Sequence, residues 1–168
     1  YNGDCRFLIN CIDANYTNGS AKVEIKGGMF HNWNPQDNAA EGIGTDFCHA
    51  DYAATETAAN VWTVLPAVAK IGEARFATLQ DAIKAVQNAE TINIIANIDE
   101  NVNIVQKEGL SFTIDGAKDA SSNYEFTATI NIEDQGRFDG KETLTIKNIK
   151  FKNDENNNTN HIFINARK

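Results

Sequence analysis

Oxygen-bearing side chains are concentrated in a loop-like stretch that begins at Lys26 and reads KGGMFHNWNPQDNAAEG. Calcium prefers carboxylate and amide oxygens, so this stretch and the residues just after it could bind that ion. The candidate ligands are Asp37, Asn38, Glu41 and Asp46. Their spacing matches no EF-hand, and a solvated loop held by local turns explains the same composition. We expect no cofactor, and calcium is the one ion that these residues could bind.

Cysteine and histidine could provide nucleophilic or zinc chemistry, but their spacing favours neither. The residues are Cys5, Cys11, Cys48, His31, His49 and His161. His49 directly follows Cys48, so the two side chains would point to opposite faces of a strand. The sequence has no C-x-x-C pair and no glycine-rich phosphate loop. We interpret the cysteines as small buried residues, and pairing of Cys48 with Cys5 or Cys11 is the alternative.

The composition predicts one globular domain, or two at most, and argues against nucleic-acid and membrane partners. The 168 residues include 23 acidic and 15 basic side chains, which gives a net charge of −8. Binding to a phosphate backbone or an anionic membrane requires basic patches, and no apolar segment is long enough to cross a bilayer. Asparagine is unusually frequent, at 22 residues. It suits turns and stacked side-chain ladders.

Short segments that alternate apolar and polar residues dominate the chain and predict β-strands with one buried face. They are Phe7–Cys11, Val23–Ile25, Ile92–Ile98, Val102–Ile104, Phe112–Ile114, Ile130–Ile132, Leu144–Ile146 and Ile162–Ile164. Asn18-Gly19 is the one clear hairpin candidate, and the polar run Asn153–Asn160 predicts a solvated loop. These strands fit either an antiparallel sandwich or a parallel β-helix of stacked coils.

One segment has helical spacing instead. Its apolar positions are Leu79, Ala82, Ile83 and Val86. Thr78 is placed to act as the N-cap, and Asp81 lies at the third helical position, as in a capping box. We expect a single amphipathic α-helix at about residues 78–89.

Two stretches resemble parts of right-handed, pectin-lyase-like β-helix modules, which occur in bacterial surface proteins and in phage fibre and spike proteins. Residues 68–86, which contain FATLQDAI, are similar to the beginning of such a module, where a helix caps the first coil. Residues 23–66 are similar to the end of one. The resemblance implies an all-β fold, a right-handed parallel β-helix with one capping α-helix.

In this chain, the stretch similar to the end of a module therefore comes before the stretch similar to the beginning of a module. Residues 1–66 are interpreted as terminal coils with a closing loop, and residues 67–168 as the capping helix and first coils. Together they could be one circularly shifted or head-to-tail completed domain. Coils opened in this way expose backbone groups. We expect residues near 144–166 to stack head-to-tail on residues near 5–30 of a neighbour or of the same chain, and a contact that does not close gives filaments. Trimers are the other form of self-association considered, and they would favour a phage fibre.

Four aromatic residues near the loop-like stretch could contact a glycan or a host-surface receptor. They are Phe30, Trp33, Tyr52 and Trp62. An exposed Trp33 could stack on a sugar. We favour the alternative, in which Phe30 and Trp33 cover the last coil and seal it, because large aromatic side chains bury much apolar area.

Pectin-lyase-like folds include lyases and hydrolases, which need clustered carboxylates and a basic group. The candidates are Asp115, Glu133, Asp134, Arg137 and Asp139. Glu133 and Asp134 are adjacent and would point to opposite faces of a strand, and neutral Asn and Thr occupy the polar faces of the predicted strands. We therefore expect a non-catalytic structural or adhesive module of an extracellular fibre, surface array or virion surface. The alternatives are a carbohydrate-binding or lyase-like domain and a phage head- or tail-fibre segment.

Overall fold

The computed structural model describes residues 8–9, 11, 13–134, 142–152 and 162–166. The chain forms two compact units, Tyr1–Pro66 and Ala67–Lys168. Strands outnumber helices in the described part of both units. The protein is therefore all-β, as the sequence predicts. None of its described helices is long and apolar enough to cross a membrane.

The first unit contains a three-stranded antiparallel sheet and a short helix. Its elements are α1 (Asp13–Thr17), β1 (Gly28–His31), β2 (Tyr52–Ala58) and β3 (Val61–Pro66). The sheet order is β1-β3-β2. A tight connection joins β2 to β3, and in it Asn60 has a φ of 59°. The Glu56 carboxylate accepts a hydrogen bond from the Asn60 N–H at 2.7 Å, which ties the hairpin closed.

Several predictions for the first unit are wrong. Its described strands pair antiparallel, whereas terminal coils would pair in parallel. Val23–Ile25 is not a strand, because only Ile25 makes an isolated bridge, to Cys48. Leu8 and Ile9 lie in a bend, and the rest of Phe7–Cys11 is described only at Cys11.

Asn18-Gly19 ends helix α1 and makes no hairpin. The Gly19 N–H donates to the Tyr16 carbonyl at 3.0 Å, and Gly19 has a φ of 76°. Helices commonly end at a glycine in this left-handed conformation. The chain therefore has a second helix that the apolar spacing did not indicate.

The second unit contains strands that pair mainly in parallel. They are β4 (Ala69–Ile71), β5 (Ala74–Phe76), β6 (Thr91–Ile94), β7 (Val102–Val105), β8 (Phe112–Asp115), β9 (Glu125–Phe126), β10 (Ile130–Asp134), β11 (Leu144–Lys147), β12 (Lys150–Phe151) and β13 (Ile162–Ala166). Parallel neighbours form the series β6-β8-β11 and β7-β10-β13 and the pair β9-β12. β4 and β5 add an antiparallel hairpin beside β6. The alternating segments from Ile92 onward are confirmed as strands, although β6 ends at Ile94.

Like residues lie opposite one another in neighbouring parallel strands. Val102 is aligned with Ile130, and Ile130 with Ile162. Ile104, Ile132 and Ile164 form a second such row. The earlier members of these rows belong to the core of the unit, in which Ile92, Val102, Ile104, Ile114 and Ile130 are fully buried. Period-2 alternation places these side chains on one face of each strand.

The predicted helix is present but shorter than expected. Helix α2 spans Leu79–Ala85. The Thr78 hydroxyl accepts a hydrogen bond from the Asp81 N–H at 3.0 Å, so its role as N-cap is confirmed. The helix ends early because Val86 adopts an extended backbone, with φ −59° and ψ 138°. Val86 is nevertheless only 3% exposed, so it contributes to the core from outside the helix.

Asparagine side chains in strands and in the connections beside them bridge neighbouring segments of the chain, which accounts for part of the unusual composition. The amide oxygens of Asn88, Asn97 and Asn101 accept hydrogen bonds of 2.9, 3.0 and 2.9 Å from the backbone N–H groups of Ser111, Glu125 and Thr129. Asn131 donates to the side chain of Asn103 at 3.0 Å, which is the ladder arrangement expected for stacked strands. Asn32, Asn60 and Asn148 adopt positive φ, which asparagine tolerates.

Candidate functional site

Three of the four side chains predicted to bind calcium accept hydrogen bonds from backbone N–H groups. The side chains of Asn38 and Asp46 accept the N–H groups of Ala40 and Cys48 at 3.0 and 2.8 Å, and Glu41 accepts the Cys11 N–H at 2.6 Å. Asp37 donates its own N–H to the Asn34 carbonyl at 3.3 Å. The described residues include no group of three or more Asp, Glu, His or Cys side chains that could hold a metal ion. The loop geometry therefore gives the calcium prediction no support.

The aromatic candidates belong largely to the core of the first unit. Trp33 is 8% exposed, and its ring centroid lies 5.5 Å from that of Phe30 and 6.2 Å from that of Phe47. The exposure that stacking on a sugar would require is therefore not found at Trp33. Tyr52 and Trp62 are half-buried, and Trp62 lies opposite Phe30 across β3 and β1. Packing of Phe30 and Trp33 is as expected, but they cover the core of their own unit.

The cysteines and histidines show local structural contacts. Cys11 and Cys48 are not joined to each other by a disulfide, and Cys48 is buried. Cys5 and His161 lie outside the described residues. The Asp51 N–H donates to His49 Nδ1 at 3.2 Å, and the His49 ring packs edge-on against Tyr52 with centroids 6.0 Å apart. His31 is exposed at the end of β1.

The acidic residues considered for catalysis are not gathered by the described strands. Asp115 ends β8 and Glu133 lies in β10, which belong to different sheets. Burial acts to raise the pKa of Asp115, but hydrogen bonds from Asn148 and Lys147 hold it below its usual value. Lys147 Nζ lies 3.0 Å from its carboxylate. Asp134 ends β10, and Arg137 and Asp139 lie outside the described residues.

In the second unit, the apolar residues at the β13 end of these rows are exposed to solvent. Ile104 is fully buried and Ile132 is 9% exposed, whereas Ile164, next in the same row, is 70% exposed. The parallel row shows the same trend, because Val102 and Ile130 are fully buried and Ile162 is 38% exposed. We call the last residues of these rows, together with their counterparts in β11 and β12, the terminal layer. It consists of Leu144, Ile146, Phe151, Ile162 and Ile164.

The terminal layer has strand edges as well as apolar side chains. No described strand pairs with the outer edge of β11 or of β13. Beside it, Asn131, Glu133, Phe163 and Ile164 line a surface pocket of about 360 Å³. An unpaired edge next to exposed apolar side chains is a template for another strand. The alternation Ile162-Phe-Ile164 predicted the strand correctly. It did not predict that Ile162 and Ile164 would be exposed to solvent.

On the opposite side of the rows, Glu100 holds the beginning of helix α2. Its carboxylate accepts the Leu79 N–H. Burial raises the pKa of Glu100, and the nearby charges of Asp81 and Asp99 act in the same direction, although the Leu79 hydrogen bond opposes them. Sequence reasoning missed this residue, because a contact across 21 positions has no local pattern.

We expect the stability of the Glu100→Gln variant against unfolding to decrease less than that of the wild type as pH rises. A carboxyl group whose pKa is higher in the folded state contributes its full stability below the unfolded pKa, and this contribution is lost as pH rises through the folded value. Glutamine keeps an acceptor oxygen for Leu79 but does not ionise. Thermal unfolding from about pH 4 to about pH 7 should show a smaller decrease for Glu100→Gln than for the wild type. The exposed Glu73→Gln is the control, and identical pH profiles for Glu100→Gln and wild type would contradict the prediction.

Comparison of the chain with family models, with curated proteins and with solved structures found no match in any of the three.

Proposed function

We propose that the second unit is the first part of a right-handed parallel β-helix that helix α2 caps. The order of the strands supports this. After β6 the chain makes a parallel bridge from Ile98 to Phe126 and then forms β7. It next forms β8, β9 and β10, and then β11, β12 and β13. β8 pairs with β6 and β10 with β7, and each strand of the last group pairs with the equivalent strand of the group before it. Three successive coils of three strand positions explain this repetition, and crossover connections between parallel strands are almost always right-handed.

The spacing of the side-chain bridges supports the same arrangement. Asn101 contacts Thr129, 28 positions later, and the Ser111 hydroxyl accepts the Thr143 N–H, 32 positions later. Both bridges run from one proposed coil to the next. Coils of somewhat different length stack in this way when the extra residues lie in loops outside the core.

In this proposal the chain is a non-catalytic structural or adhesive module that associates with a second copy through the terminal layer. The observation that carries it is the 70% exposure of Ile164 in a row whose earlier members are buried. Covering these inward-facing side chains would remove apolar area from water, and pairing at the edges of β11 and β13 would supply backbone hydrogen bonds. The extracellular or virion-surface setting rests on the sequence resemblance.

Replacing Ile164 with lysine should disrupt this association. A charge in the terminal layer would be desolvated on contact with a second copy, so we expect affinity to fall at least about tenfold. Ile43→Lys is a matched control, because Ile43 is fully exposed, at 102%, and lies in the first unit. Light scattering coupled to size-exclusion chromatography, over a range of concentrations, measures the effect.

The wild type and Ile43→Lys should form a larger species as concentration rises, and Ile164→Lys should stay monomeric. A wild-type protein that remains monomeric at every concentration would refute the proposed association. Equal association of Ile164→Lys and wild type would show that the contact lies elsewhere.

A further inference from the structure

The first strand of the β7-β10-β13 series has one edge towards β10 and one edge away from it. The N–H groups of Val102 and Gln106 donate to the carbonyls of Thr129 and Glu133, at 2.9 and 3.1 Å. Backbone groups alternate in direction along a strand. The N–H and C=O of Asn103 therefore lie on the outer edge, where another strand could pair.

The side chain of Gln80 occupies this outer edge. The Asn103 N–H donates to Gln80 Oε1 at 2.8 Å, and Gln80 Nε2 donates to the Asn103 carbonyl at 3.1 Å. A primary amide carries N–H donors and an acceptor oxygen side by side, and Gln80 directs one N–H and its oxygen at Asn103. It thus makes the same pair of hydrogen bonds that the backbone of an added strand would make.

The surroundings of Gln80 keep it in place and discourage another strand. Gln80 lies in the first turn of helix α2, two residues after the Thr78 cap, and its neighbours Leu79 and Ala82 are both fully buried. Lys84 and Lys107 line the same surface groove of about 420 Å³. Lysine side chains beside a strand edge oppose edge-to-edge pairing, because pairing would desolvate them.

The other strand series is covered on the same side. The outer edge of β6 pairs with β4, where Ala69 lies opposite Ile94, and β4 pairs in turn with β5. Among the described strands, β6 and β7 therefore both have their outer edges occupied, one by a hairpin and one by the Gln80 amide.

We propose that Gln80 is an edge clamp that closes the β7 side of the second unit to strand pairing by another copy. The proposal rests on the proposed self-association and specifies its geometry. With β7 closed, the terminal layer is the described surface of the second unit that combines free strand edges with exposed large apolar side chains, which the edge strand β5 lacks. The same surface then serves both partners. Such an isologous contact closes after two copies, so it gives a dimer, whereas two open ends would give a filament.

Gln80→Ala tests the clamp in the full-length chain. We expect it to form species larger than the wild-type dimer, growing with concentration, because the freed edge of β7 can pair with the terminal layer of another copy. Gln80→Ala with Ile164→Lys should not form them. Gln87→Ala is the matched control, because the Gln87 amide donates to the nearby Ala85 carbonyl, at 3.0 Å, and the loss of this local hydrogen bond leaves the strand edge intact.

Amide hydrogen exchange of Asn103 reports on the clamp independently of assembly. In Gln80→Ala at low protein concentration, loss of the 2.8 Å hydrogen bond should accelerate exchange by about tenfold, and Gln87→Ala should leave it unchanged. Unchanged exchange in Gln80→Ala would overturn the proposal, and so would faster exchange with no change in assembly size.

The two proposals fail in different ways. A wild-type dimer whose size is unaffected by Gln80→Ala refutes the clamp and leaves the proposed function standing. A wild-type monomer that assembles only as Gln80→Ala supports the clamp and refutes self-association of the natural chain. A wild-type filament refutes the clamp.

Discussion

Replacing Phe126 with alanine is expected to lower the free energy of unfolding of the second unit by about 3–5 kcal/mol. Phe126 is 1% exposed. It bridges to Ile98 on one side and pairs with Phe151 on the other, where the ring centroids are 5.7 Å apart. The Phe126 ring thus lies between the segment that contains Ile98 and the strand that contains Phe151. Its removal leaves a cavity, and the backbone pairing on both sides keeps these segments from moving in to fill it.

Phe163→Ala provides the control for this substitution. Phe163 lies in β13 and is 46% exposed, so the same truncation should cost less than about 1 kcal/mol there. Urea denaturation at low protein concentration compares the two variants without a contribution from association. Equal losses for Phe126→Ala and Phe163→Ala would contradict the assignment of Phe126 to the centre of the core.

The strands of the second unit could be predicted because their alternation is local and their inward residues are all apolar. Val102, Ile130 and Ile162 appear in the sequence as equivalent apolar positions, and the structure aligns them. The Thr78 cap was predictable for the same reason, since its hydrogen-bond partner Asp81 is three residues away. Local patterns thus identified which segments form strands and where the helix begins.

The first unit was predicted poorly because its contacts are not periodic along the sequence. Trp33 lies in an irregular stretch rich in Asn, Asp and Gly, so its type allowed either an exposed platform or a buried ring. Burial depends on Phe30 and Phe47, and only the fold brings Phe47 near. The antiparallel pairing of β3 with β1, 30 or more residues apart along the chain, also lacks a local signal.

The contacts at the two sides of the second unit were also beyond sequence reasoning. Gln80 is a polar residue on a helix, and the ordinary interpretation of such a residue is solvent exposure. Its partner Asn103 is 23 positions away. The exposure of Ile164 arises because no described strand covers it, although its alternation is the same as that of the buried Ile132.

Replacing Gly116 with alanine should destabilise the second unit by about 3 kcal/mol. A Cβ atom at this position would lie 2.6 Å from the Asn148 carbonyl oxygen and 2.8 Å from Ile149 Cγ1. The first of these atoms belongs to the backbone of the following layer, so a side-chain rotation cannot relieve the contact. Relief requires the chain after β8 to separate from the chain after β11.

That separation would break the hydrogen bond from Gly116 to the following layer, and a second hydrogen bond fixes Gly116 within its own layer. Its N–H donates to the Lys147 carbonyl at 3.1 Å, and its carbonyl accepts the Tyr124 N–H at 2.8 Å. Gly27→Ala is the matched control, because a Cβ there meets nothing within 4 Å and the backbone needs no positive φ; we expect a change within about 0.5 kcal/mol. Chemical denaturation should therefore separate the two variants by several times the error of the measurement. Equal stability of Gly116→Ala and Gly27→Ala would contradict the prediction. It would mean that Gly116 lies farther from the Asn148 backbone than the pairing of β8 with β11 requires.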